Sequence, residues 1–203
     1  MKEVSKILLS KEEILVLREE AFFHVKRRVT DKIFNQLAET VKAIQSTSYF
    51  HKIIFPEGTD TTTGKISKGE NYLGLPFITL DFPRFFSQEK FLTFRTMIWW
   101  GNFVSGTLLV SDAAVPSVKQ KFQKNFPALK EEGTFLCVNE SPWHHHFGKE
   151  NFIPLTSLTL KEVELILTKQ EFLKVAMKLP LTQINRLQKF SSQSFERFSR
   201  LLL

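Results

Sequence analysis

Hydrophobic positions along this chain follow three successive patterns. Between residues 10 and 46 they recur at helical spacing, as Ile14, Leu17, Ala21, Phe22 and Val25 and then Ile33, Phe34, Leu37, Val41 and Ile44. Ser10 with Glu13 three positions later forms a capping box at the start of this run. Thr30 and Asp31 can cap a second turn, so 11–46 predicts one long helix or two joined near Val29.

The middle of the chain changes to aromatic and β-branched residues, densest over 69–112. Residues 49–55 suggest a short strand, and 72–82 reads as extended but irregular at Gly74 and Pro76. Segments 91–100 and 103–112 flank Gly101-Asn102 and predict a tight hairpin. Val118, Phe122, Phe126 and Leu129 then mark a lysine-rich helix near 115–130 that Pro127 interrupts, and 134–140 is a further strand.

The helical period returns at the C-terminal end. Thr159 with Glu162 is a second capping box, opening Val163, Ile166 and Leu167 and, after a break, Phe172, Leu173, Ala176 and Met177. Pro180 stops that pattern, and Ile184, Leu187, Phe195, Phe198 and Leu202 outline an amphipathic terminal helix that Thr182 can cap. Helices, then strands, then helices point to an α+β fold rather than an alternating parallel one. The expected architecture is one domain over 1–203, an antiparallel sheet covered by N-terminal and C-terminal helices. It comprises a helical segment at 10–46, a sheet region at 49–155 and helices at 159–202.

Composition narrows the class without naming an activity. With 203 residues, 42% hydrophobic and 24% charged, the chain can bury a substantial core without covalent staples. Its 21 Phe against 2 Tyr mark burial more than recognition, because phenylalanine lacks the hydroxyl that aromatic binding surfaces use. A net charge of +7 permits anionic partners. Lys26, Arg27 and Arg28 form the densest basic cluster, but acidic residues interrupt the rest, which disfavours a dedicated nucleic-acid track. Weak nonspecific nucleic-acid binding stays a third functional reading.

A lone cysteine, Cys137, fits a reducing compartment and a small buried hydrophobe. The first residues return to charge too soon for a signal-peptide core, and no apolar run is long enough to span a membrane, so a cytoplasmic location is expected.

Chemistry concentrates in two places. Arg95 stands mid-strand among apolar residues, and a tight hairpin would put Arg95, Met97 and Trp99 on one face with Val104, Gly106 and Leu108. A guanidinium there requires a carboxylate, for which Asp81, Glu89, Asp112 and Glu140 are candidates, or else it anchors an anionic ligand beside Trp99 or Trp100. The second place is 139–152, where Trp143 precedes three consecutive histidines. In extended backbone His144 and His146 face one way and His145 the other. With Glu150 the first two could ligate a divalent metal, although zinc sites ordinarily need a third firm ligand and no HExxH helix is present. His24 and His51 read as structural or unassigned.

The loop at 56–71 holds Gly58, Gly64 and Lys65 but spaces its glycines one residue too far apart and lacks the following Ser or Thr, so it is no phosphate-binding loop. Neither GxSxG nor a dinucleotide fingerprint occurs. The leading expectation is a non-catalytic module that binds a small anionic ligand or a protein. Its pocket is lined by Arg95, Trp99, Trp100 and 143–146, with His145 a ligand-contacting residue. A metal-assisted hydrolase using His144 and His146 is the alternative; otherwise no cofactor is expected.

Overall fold

Alternation of side chains across a strand gives a sheet two chemical faces, and in this protein the two differ sharply. The computed structural model describes residues 8–88, 90–111, 114–131 and 133–203. Its contacts group the chain into two compact units, Met1–Asn35 and Gln36–Leu203. The first holds α1 (Lys11–Leu17) and the start of α2 (Glu20–Gln45). The Ser10–Glu13 capping box is formed in both directions. The helix break lies at 18–19, not near Val29: α2 continues through Thr30 and Asp31, whose side chains do not open a new helix. His24 pairs with Glu20 one turn away, at 3.0 Å on an exposed surface.

The second unit is an α+β fold around a seven-stranded antiparallel sheet. The strands are β1 (Lys65–Tyr72), β2 (Leu75–Phe86), β3 (Phe91–Trp99), β4 (Phe103–Ser111), β5 (Phe135–Cys137), β6 (Phe152–Pro154) and β7 (Phe172–Pro180), in the spatial order β1-β2-β3-β4-β7-β5-β6. Helices α3 (Val115–Glu131), α4 (Leu160–Lys169) and α5 (Leu187–Ser199) complete it. One face, with Ile78, Leu80, Phe82, Phe94, Ile98, Val104, Leu108, Val175 and Leu179, is buried and apolar. Helix α5 covers it: Phe195 packs edge-on against Phe94, and Phe50 stacks on Phe82. Gly106 allows the approach, since a Cβ there would stand 3.0 Å from the Cβ of Ser194.

Several elements differ from the sequence reading. Residues 172–180 form the inner strand β7 instead of continuing a helix, because Leu173, Val175, Met177 and Leu179 alternate onto the apolar face. The terminal helix begins at Leu187 behind a 3-10 segment, with no side-chain cap from Thr182. Half of the expected 56–71 loop is edge strand β1, and 50–52 is a 3-10 turn in place of a strand. Helix α3 runs through Pro127 unbroken. What remains of the loop is closed by Asp60, whose carboxylate accepts from the amides of Thr62, Thr63 and Gly64.

The β3–β4 hairpin turns over three residues, pairing Trp99 with Phe103 and Arg95 with Thr107. The expected two-residue turn is therefore one residue short, and a one-residue slip sends every β4 side chain to the opposite face. Arg95 consequently shares its face with Thr107 and Ser105, not with Val104, Gly106 and Leu108. Among the described residues no helix is long and apolar enough to cross a membrane.

Candidate functional site

The second sheet face is polar at one end and apolar at the other. On β1–β4 it carries Ser67, Thr79, Asp81, Arg95, Ser105 and Thr107. Toward β7, β5 and β6 it carries Leu109, Ala176, Phe172, Cys137 and Phe152, which form a buried cluster. The segment 139–151 lies across this face. Phe147 anchors it at the apolar end, stacked on Phe152 with ring centres 4.7 Å apart and edge-on to Phe103 and Phe135.

Fully buried Lys174 holds the middle of the segment. On β7 it points toward the segment, and its ammonium donates to the backbone carbonyl of Pro142 at 2.9 Å and to that of His144. The Phe152 ring lies 4.8 Å from the same ammonium. Burial pushes its pKa down to about 8; the nearby Cys137 thiol opposes that shift and Arg95 adds to it. Burial likewise raises the Cys137 thiol. Asn151, also fully buried, donates to the carbonyls of His144 and His146, so the alternate carbonyls of Pro142, His144 and His146 all have fixed partners.

At the polar end the segment meets Arg95. Its guanidinium forks onto Asp81, Nε to Oδ1 at 2.6 Å and Nη2 to Oδ2 at 2.8 Å, while Nη1 lies 3.1 Å from His145 Nε2. A guanidinium only donates. His145 Nε2 must therefore accept, which makes the ring neutral with its proton on Nδ1. Burial and then the adjacent Arg95 and Lys174 cations hold the His145 pKa well below the ordinary histidine value. Tyr72 closes the corner: its hydroxyl oxygen accepts from the amides of His145 at 2.6 Å and His146 at 3.1 Å.

Of the four carboxylates considered for Arg95, Asp81 is the partner. Glu140 lies elsewhere on an exposed turn, and Glu89 and Asp112 fall outside the described residues. The internal salt bridge and the ligand-facing arginine turn out to be compatible, because Arg95 also lines a cleft of about 540 Å³. Tyr72, Asp81, Arg84, Arg95, Trp143 and His145 enclose it, with Lys65 at the rim. Arg95, Trp143 and His145 are thus brought together. Trp99 and Trp100 are not: Trp99 is buried behind Tyr72, donating to its carbonyl at 3.2 Å, and Trp100 sits in the β3–β4 turn.

The rings of His144 and His146 lie against each other, not in the Arg95 cleft, with centres 5.9 Å apart, and His146 Nδ1 is 3.5 Å from Glu150 Oε1 while accepting from the Gly148 amide. Among the described residues no three His, Cys, Asp or Glu side chains converge as a metal would need. Three participants escaped the sequence reading. Tyr72 could have been found, as one of only two hydroxyl-bearing rings in a chain of 21 Phe; Lys174 and Asn151 gave no signal separable from ordinary surface polarity. No family model, curated protein or solved structure matches this chain.

Proposed function

We propose that this protein is a non-catalytic binding domain whose ligand is a small anion held in the cleft between β1–β3 and the 139–151 segment. The observation that carries this reading is the charge balance of the cleft. Lys65, Arg84 and Arg95 face a single carboxylate, Asp81, which Arg95 already engages. No carboxylate among the described residues pairs with Lys65 or Arg84, so an incoming anion finds cations that need no prior separation. A volume of about 540 Å³ is in the ordinary range for small-molecule sites.

The roles divide by burial. Arg95 and His145 line the cleft already hydrogen-bonded to each other, whereas the half-buried Arg84, its guanidinium 5.8 Å from the Phe86 ring, pairs with no carboxylate among the described residues. Arg84 is the direct contact. Thermal unfolding with phenyl phosphate tests this: a ligand at about ten times its dissociation constant stabilises by about 1.4 kcal/mol and raises Tm by roughly 3–6 °C. Arg84→Ala should weaken binding by about 10- to 100-fold, the loss of one charge-assisted contact. Absence of any shift with phosphate or carboxylate probes up to millimolar concentrations would refute the reading.

A further inference from the structure

A second, larger cleft of about 1080 Å³ lies on the other side of Trp143 and shares Trp143 and Phe86 with the first. Among the described residues its charged lining is balanced, Lys90 and Lys169 against Glu140 and Glu171, and its remaining wall includes Phe91, Phe172, Ile166 and Val138. By its described lining the smaller cleft carries an excess of cations, and the larger one adds apolar surface with no excess of either charge.

Trp143 is the ridge between them. It is 48% exposed, with Phe91 at 5.3 Å and Phe86 at 6.4 Å between ring centres. An exposed indole on a mobile loop would carry little meaning, but this one is held: the carbonyls immediately before and after it, of Pro142 and His144, both accept from the buried Lys174 ammonium. Burying an unpaired lysine is costly. Lys174 avoids that cost by donating to these two carbonyls, and in doing so holds in place the segment that presents Trp143 to both clefts.

We infer that the ligand is an amphiphilic anion, with its charged end in the smaller cleft beside Arg84 and Arg95 and its apolar part crossing Trp143 into the larger cleft. This inference rests on the anion reading of the smaller cleft. The charge asymmetry sets the polarity of binding, and Trp143 with Phe86 supplies the contact at the junction.

Calorimetric titration of the full chain with methyl, butyl, hexyl and octyl phosphate, each below its micellar concentration, tests it. Affinity should rise along the series, with octyl phosphate at least about tenfold tighter than butyl phosphate, since each buried methylene contributes up to about fourfold. Ile166→Ser, which alters the larger cleft alone, should reduce octyl phosphate binding several-fold and leave methyl phosphate unchanged; its fold is checked by circular dichroism. The wild-type series stands independently of that variant. Equal affinity along the series overturns the amphiphile and leaves the anion site intact, whereas no binding by any phosphate overturns both. Octanol binding as tightly as octyl phosphate would overturn the assignment of the charged end.

Discussion

Arg95 and Asp81 illustrate how a buried charge is tolerated and what it then permits. Their side chains are 16% and 9% exposed, and the forked pair satisfies the carboxylate while leaving Nη1 directed at His145. Removing one partner strands the other, so Arg95→Met should destabilise the fold by about 3–5 kcal/mol in denaturant unfolding, and Asp81→Leu added to it should recover most of the loss. His145 gives a pH signature. Its folded-state pKa is depressed, so below the ordinary value near 6.5 the unfolded chain binds a proton that the folded chain does not. Stability should fall as pH drops through 6.5, and His145→Gln should flatten that slope relative to wild type. The charged and titratable groups acting on His145 are Arg95, which contacts its ring, and the nearby Lys174, His144 and His146, all cationic when protonated, and none relieves the conflict.

Lys174 titrates in the other direction of practical pH. Between about 8 and 10.5 the unfolded lysine is protonated and the folded one is not. Stability contributed by this residue therefore rises with pH across that window, by up to about 3 kcal/mol. Cys137 opposes it, because a thiol with a raised pKa favours the unfolded thiolate as pH increases. The lysine contribution is isolated as the difference between wild type and Lys174→Met in urea unfolding at pH 7.5 and 10; an unchanged difference would contradict the assignment.

At the scale of elements, the hairpins show where pattern decides and where it cannot. The helical capping boxes at Ser10 and Thr159 were legible because each needs only two residues at a fixed spacing. Strand β7 was not, although its alternation is present: Phe172, Leu173, Ala176 and Met177 also fit a helix, and Lys174 and Lys178 resembled solvated charges. Only the neighbouring strands β4 and β5 settle the period. Strand β1 has no apolar face to read, since its inward side is the polar cleft floor. The β1–β2 turn sets Leu73 at φ 51° and Gly74 at φ 82°. A leucine pays for that conformation, whereas asparagine accepts it. Leu73→Asn should stabilise by about 0.5–1 kcal/mol, visible as a Tm increase of roughly 1–3 °C.

At the scale of the second unit, two unlike coverings divide the sheet's labour. Helix α5 seals the apolar face, as the abundance of phenylalanine implied, and a single segment tied down by Lys174, Asn151 and Tyr72 covers the other. The sequence pointed to Arg95 and the Trp143–histidine run as opposite walls, but the slipped hairpin register hid the polar surroundings of Arg95. The slip does not account for Trp99, which shares the Arg95 face of β3 in either register; it lies under Tyr72, which lines the pocket in its place. Long-range pairing fixed what local periodicity left open.

The anion site is tested most directly by a ¹H–¹⁵N correlation titration of the full chain with phenyl phosphate. The account predicts saturable shifts at the Trp143 indole, the His145 amide and the Arg84 Nε–H, with the Trp100 indole unmoved. Shifts absent at millimolar ligand, or confined to residues outside the cleft, would contradict it.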